Sequence, residues 1–190
     1  MGENGAFYFW HDHHAHKLRR RYLVDETARA ANRARFAAIA GRVIASVPGC
    51  ALAADQSYRE CDLAIDFCED VAALPLETAE RIAGLLRAEG MTAKISSIHV
   101  NAWFGGYDKL GITKLLAQER FGVGLDAARN DFVFVGDSPN DAPMFAYFPR
   151  SVGVANIARF AGRLEAAPAY VTRNAGGAGF AELVDRLLQD

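Results

Sequence analysis

The segment Phe132-Val133-Phe134-Val135-Gly136-Asp137-Ser138-Pro139-Asn140-Asp141 constrains the chain most. A short unbroken apolar run bounded by turn-forming residues predicts a strand buried on both faces of a parallel sheet. Ligands of such sheets gather at the carboxyl ends of the strands, and Asp137 falls there. Gly136 lets the backbone turn closely. Asp141 follows four residues on, with the Asn140 amide beside it. Two carboxylates and a carboxamide on one tight loop suit a hard cation with oxygen ligands, magnesium above all. Such an ion neutralises a phosphate and stabilises its transition state. The plainer alternative is a polar strand-to-helix turn in which Asp137 or Ser138 caps the next helix. Gly-Asp-Ser also occurs in esterases with a serine nucleophile, which need a histidine base late in the chain. All five histidines here (His11, His13, His14, His16 and His99) precede Ser138.

Periodicity places this loop in a larger pattern. Phe36, Ile39, Val43 and Val47 make one apolar stripe, predicting a helix over 25–47 that Pro48-Gly49 ends. Residues 62–67 alternate as a half-buried strand does, and 92–96 and 99–103 are further strand candidates. A second helix is expected over 77–89, between Pro75 and Gly90, with Ile82, Leu85 and Leu86 inward. These elements suggest a small α+β module. After Gly105-Gly106 the rhythm changes to helix 112–121, strand 132–135, helix 142–148, strand 151–154, strand 170–172 and helix 179–188. That is half of a doubly wound sheet, with the boundary near 104–107. A short strand at 7–10 follows the turn-like Glu3-Asn4-Gly5-Ala6.

Composition excludes several classes. With 51% apolar residues the chain can bury a core, and a formal net charge of -2 gives no reason to expect nucleic acid or an anionic membrane as partner. The three cysteines, Cys50, Cys61 and Cys68, have no C-x-x-C spacing and read as free thiols of a cytoplasmic protein. No apolar stretch is long enough for a membrane helix, and Met1–Trp10 lacks the pattern of a secretory signal.

Gly-Asp-Ser-Pro-Asn-Asp resembles the fourth motif of haloacid dehalogenase-type phosphatases, subfamily IIB, which includes mannosylglycerate-, sucrose- and trehalose-type sugar-phosphate phosphatases. Tyr107-Asp108-Lys109 with Gly111-Ile112-Thr113 resembles the third motif. Val152–Asn156, Ala169–Thr172 and Gly176–Gly179 resemble the segments that follow the metal loop. The resemblance implies an α/β fold, a partial Rossmannoid parallel-sheet core with an inserted α+β cap. Residues 1–10 would end a core segment, 11–104 would form the cap and 105–190 the carboxyl-terminal half of the core. It implies Mg2+ held by Asp137, with Asp141 ligating or supporting it. Lys109 would offset charge on phosphoryl oxygens and Asn140 would orient them. The small-molecule partner would be a phosphorylated sugar or glycerate derivative.

The family's first motif, Asp-x-Asp-x-Thr, supplies the aspartate nucleophile and the general acid-base, and the sequence contains no such string. The chain reads as beginning one motif late. The expectations are no turnover through an aspartyl phosphate and an exposed sheet edge that invites a homo-oligomer. The alternative is a remnant that only binds a ligand or another chain.

In the cap, alternation over 96–103 puts Ser97, His99 and Asn101 on one strand face, where they would read sugar hydroxyls; Arg59 would hold a substrate anion. An ordinary solvent-facing strand is the competing reading. His11-Asp12-His13-His14-Ala15-His16 looks like a metal-binding tract. Lacking visible support around it, it is expected to be a polar loop. Lys17, Arg19, Arg20 and Arg21, with Arg29, Arg33, Arg35 and Arg42, form a basic patch that reads as a solvated face rather than a nucleic-acid surface.

Overall fold

The computed structural model describes residues 1–189. Contacts divide the chain into two compact units, Met1–Thr113 and Lys114–Asp190.

The first unit starts with a left-handed turn at Glu3, Asn4 and Gly5. Gly5 has φ +101°, and a Cβ there would lie 2.2 Å from the Asp108 carbonyl oxygen, so only glycine fits this close approach. Strands β1 (Phe7–Asp12) and β2 (Lys17–Tyr22) then form an antiparallel hairpin. Helix α1 (Glu26–Ser46) follows, its Asp25 cap accepting from the Ala28 amide at 2.9 Å. Strands β3 (Ala51–Leu52) and β4 (Asp62–Asp66) lead to α2 (Leu76–Ala88), then β5 (Thr92–Ile95) and β6 (His99–Trp103). These strands form an antiparallel sheet in the order β3-β4-β6-β5.

Alternation explains the core of this unit. Leu63 and Ile65 of β4 and Val100 and Ala102 of β6 join Phe36, Ile39 and Val43 of α1 and Ile82 and Leu86 of α2 in one buried cluster. The intervening residues Asp62, Asp66, His99 and Asn101 are also buried. The face expected to be polar and accessible is therefore covered. Helix α3 (Lys109–Phe121) begins in this unit, where the Asp108 carboxylate accepts from the Gly111 amide at 2.7 Å.

The second unit holds the rest of α3, then α4 (Leu125–Ala128), β7 (Val133–Gly136), α5 (Ala142–Tyr147), β8 (Arg150–Gly153), β9 (Tyr170–Val171) and α6 (Gly176–Leu188). Its sheet is parallel, in the order β7-β8-β9. Phe134 packs on Phe145 and Phe148, with ring centroids 5.5 and 6.0 Å apart.

Two expectations need correction. Strand β7 is parallel but not fully buried: its Val133, and Phe132 just before it, are each 38% exposed. Its only strand neighbour among the described residues is β8, so it is an edge strand, and an apolar run does not distinguish the two cases. Residues 11–16 are not a loop throughout. His11 and Asp12 belong to β1, and the basic run Lys17–Arg21 forms most of β2, part of neither loop nor helix.

Candidate functional site

The loop after β7 is organised by its own side chains. Asp141 is buried, and its Oδ2 accepts from the Asp137 amide at 3.0 Å and the Ser138 amide at 3.3 Å. The Asp141 amide in turn donates to the Ser138 carbonyl at 3.0 Å. The Ser138 hydroxyl donates to Asn140 Oδ1 at 2.7 Å. Gly136 is required by this packing, because a Cβ there would stand 2.6 Å from Asp141 Oδ2 and 2.8 Å from its Cγ. One carboxylate thus turns back to hold the loop. The other, Asp137, is half-buried at the carboxyl end of β7.

Asn156 is a member of this site that the sequence reading did not single out as such. Its Nδ2 donates to Asp137 Oδ2 at 3.2 Å, and its Oδ1 accepts from the Gly176 amide at 3.0 Å, at the start of α6. It fixes one Asp137 oxygen and ties three segments of the second unit together. The signal for it lies in the parallel register: Gly136 pairs with Gly153, so the residues just past β7 and β8 lie side by side.

The donor set suits a hard cation that keeps most of its own water. Asp137 offers a carboxylate on a loop held by its own hydrogen bonds, and magnesium is commonly held by one or two carboxylates. Among the described residues no group of three His, Cys, Asp or Glu side chains is arranged to hold a metal by itself. Lys109 is the first residue of α3, and its carbonyl accepts from the Thr113 hydroxyl at 2.6 Å.

The four residues expected to contact substrate lie in the first unit. Arg59 and Asn101 meet: Arg59 Nη1 donates to Asn101 Oδ1 at 3.2 Å and to Asp62 Oδ1 at 3.0 Å. Its Nε and Nη2 bind both oxygens of Asp55, at 2.8 and 2.9 Å. Every nitrogen of this guanidinium therefore already has a carboxylate or amide partner. Burial lowers the Arg59 pKa, but the bonds to Asp55 and the charge of Asp62 outweigh it and the net shift is upward. Asp62, wholly buried, is pushed up by burial against the opposing pull of Arg59, and it also accepts from Asn4 at 2.9 Å. His99 is buried with Nε2 2.8 Å from a Glu69 carboxylate oxygen, but without hydrogen-bond geometry. Ser97 is half-buried in the turn between β5 and β6, where its carbonyl lies 3.4 Å from Cys68 Sγ.

Comparison with solved structures identifies the fold. A protein from Thermoplasma acidophilum matches with a TM-score of 0.58 at 18% identity, over 97% of this chain and 70% of that one. The sucrose-phosphatase of Synechocystis, solved with sucrose and phosphate, matches at 0.55 and 13% identity, over 88% and 69%. The fold is haloacid dehalogenase-like. A third structure with this fold, the carboxyl-terminal domain of a trehalose synthase regulatory protein from Candida albicans, matches at 0.50 and 14% identity, over 90% and 68%. The chain thus spans about two-thirds of the length of these structures. No family model matches the sequence, and no curated protein matches it. The haloacid dehalogenase-like fold accounts for the position of the acidic loop, at the carboxyl end of a parallel strand.

Proposed function

We propose that this chain carries the magnesium and phosphate-handling half of a haloacid dehalogenase-type phosphomonoester hydrolase of the IIB kind, together with its cap. Residues 11–104 are the cap in this reading and 105–190 the core half. The substrate class is a phosphorylated sugar or glycerate derivative. The observation that carries the reading is the hydrogen-bonded loop after β7, in which Asp141 accepts from two amides and Asn156 donates to Asp137.

Asp137 ligates the ion, Asp141 supports it by holding the loop, and Asn140 and Lys109 orient and offset the phosphoryl oxygens. Bound magnesium supplies charge neutralisation to the phosphate. The likeness to the sucrose-phosphatase supports a sugar phosphate as the substrate. The 190 residues contain no Asp-x-Asp-x-Thr, so the aspartate nucleophile that the resemblance implies is not among them, and in this reading the chain alone binds without turnover through an aspartyl phosphate.

The test has two parts. Titration of the whole chain should show magnesium binding that Asp137→Asn abolishes; no binding at millimolar magnesium sinks the metal assignment. Hydrolysis of p-nitrophenyl phosphate should not rise above background. Magnesium-dependent turnover that disappears in Asp137→Ala would refute the missing-nucleophile reading and require another attacking group.

A further inference from the structure

The hairpin β1–β2 carries a feature that the phosphatase reading does not use. Side chains two apart on a strand share a face. Phe7, Phe9, His11 and His13 therefore follow one another along one side of β1 and its turn. Phe7 and Phe9 meet edge to face, with centroids 5.2 Å apart. The Arg20 guanidinium from β2 lies over both rings, 5.1 and 4.5 Å from their centroids. His11 and His13 continue the row, with centroids 4.6 Å apart and an interplanar angle of 73°. Their Nδ1 atoms stand 3.3 Å apart.

That distance has a chemical meaning. Two imidazole nitrogens about 2.0–2.1 Å from one zinc ion at a tetrahedral angle are roughly 3.3–3.4 Å from each other. The turn holds this spacing. Asp12 Oδ1 accepts from the amides of His14 and Ala15 at 3.1 and 3.0 Å, and its Oδ2 accepts from Arg19 Nε at 3.3 Å. Asp12 is thus committed to the turn and the cross-strand pair, leaving the two exposed imidazoles as the donors.

We propose that His11 and His13 form a two-point chelate, through their Nδ1 atoms, for a borderline divalent transition-metal ion such as Zn2+, Ni2+ or Cu2+. Imidazole suits these ions, whereas magnesium prefers oxygen. Without metal, one Nδ1 carries the proton that the other accepts. On binding, the donating ring changes tautomer, its proton moving by way of water from Nδ1 to Nε2, so that both Nδ1 lone pairs reach the ion and each ring stays neutral. Water or an external ligand completes the coordination. The site is separate in chemistry from the oxygen-lined loop after β7.

The experiment uses the full chain without an added histidine tag. Calorimetric titration with Zn2+ should show binding, and His11→Ala and His13→Ala should each weaken it by about tenfold or more, the scale on which loss of even a supporting partner acts. His14→Ala and His16→Ala should change it much less. Both His11 and His13 are exposed, so the variants should keep the far-ultraviolet circular dichroism of the parent. Imidazole nitrogen NMR should show zinc-dependent shifts at Nδ1 of His11 and His13, and Asp137→Asn should leave them unchanged. No zinc binding would overturn the proposal. Equal losses in all four histidine variants, or coordination through Nε2, would do the same.

Discussion

Arg59 is where the substrate expectation meets the geometry most directly. Its guanidinium spans Asp55, Asp62 and Asn101, and Asp62 has no exposed side-chain surface. Removing one partner of a buried pair leaves an uncompensated charge, at about 3–5 kcal/mol. Arg59→Ala should therefore destabilise the chain by roughly that much in urea unfolding. Asp55 is 54% exposed, so Asp55→Ala should cost no more than about 1 kcal/mol. A loss below about 1 kcal/mol for Arg59→Ala would show that the charge is free for an anion after all.

Gly136 makes a second case at this scale. A Cβ there collides with the Asp141 side chain, which cannot retreat without releasing the Asp137 and Ser138 amides. Gly136→Ala should destabilise by about 1–3 kcal/mol and weaken magnesium binding together, because one displacement causes both. Calorimetric melting and magnesium titration of the same variant check this. Unchanged stability would mean that the loop yields freely.

Among the elements, the connection from β4 to α2 hangs on Asp66. Its carboxylate accepts from the amides of Cys68, Glu69 and Asp70 at 2.8–2.9 Å. Burial pushes its pKa up, but these donors, Glu69 first, outweigh burial and hold it below the ordinary 3.8. A lowered folded value stabilises above the unfolded pKa and is lost as pH falls through the folded one. The stability gap between the parent chain and Asp66→Asn should therefore close as pH drops from about 5 to below 3. Urea unfolding across that range measures it, and a gap that widens toward acid would contradict the assignment.

Elements also differ in how far the sequence discloses them. Helices α1 and α2 are legible because their stripes of Phe36, Ile39, Val43, Ile82 and Leu86 face one core. Strand β2 is not, because Lys17, Arg19, Arg20 and Arg21 carry no apolar alternation. What seats that strand is its pairing with β1 and the stacking of Arg20 on Phe7 and Phe9. The Gly136–Asp141 turn is readable because its chemistry is contiguous. Asn156 escapes the same reading because it reaches Asp137 only through the pairing of β7 with β8. The burial of Asn101 and His99 is likewise invisible to alternation, which separates faces without saying which is covered.

At the scale of the whole molecule, β7 has strand pairing on one side only among the described residues, and its Val133 and the preceding Phe132 are partly exposed. Tyr170 and Val171 of β9 are 64% and 56% exposed. With Val133, Val152 and Leu183 they line an open groove of about 920 Å3 between the sheet and α6. Unpaired amides and carbonyls on an edge that also exposes apolar side chains favour pairing with another chain. A second copy is the simplest occupant, since two β7 edges related by a twofold axis run antiparallel and each satisfies the other. Sedimentation of the purified chain should then show dimers that strengthen with concentration. Val133→Lys should shift the population to monomer while leaving the helix and strand content unchanged, because a lysine on the edge strand opposes pairing between edges. A parent chain that stays monomeric at high concentration would rule out the pairing.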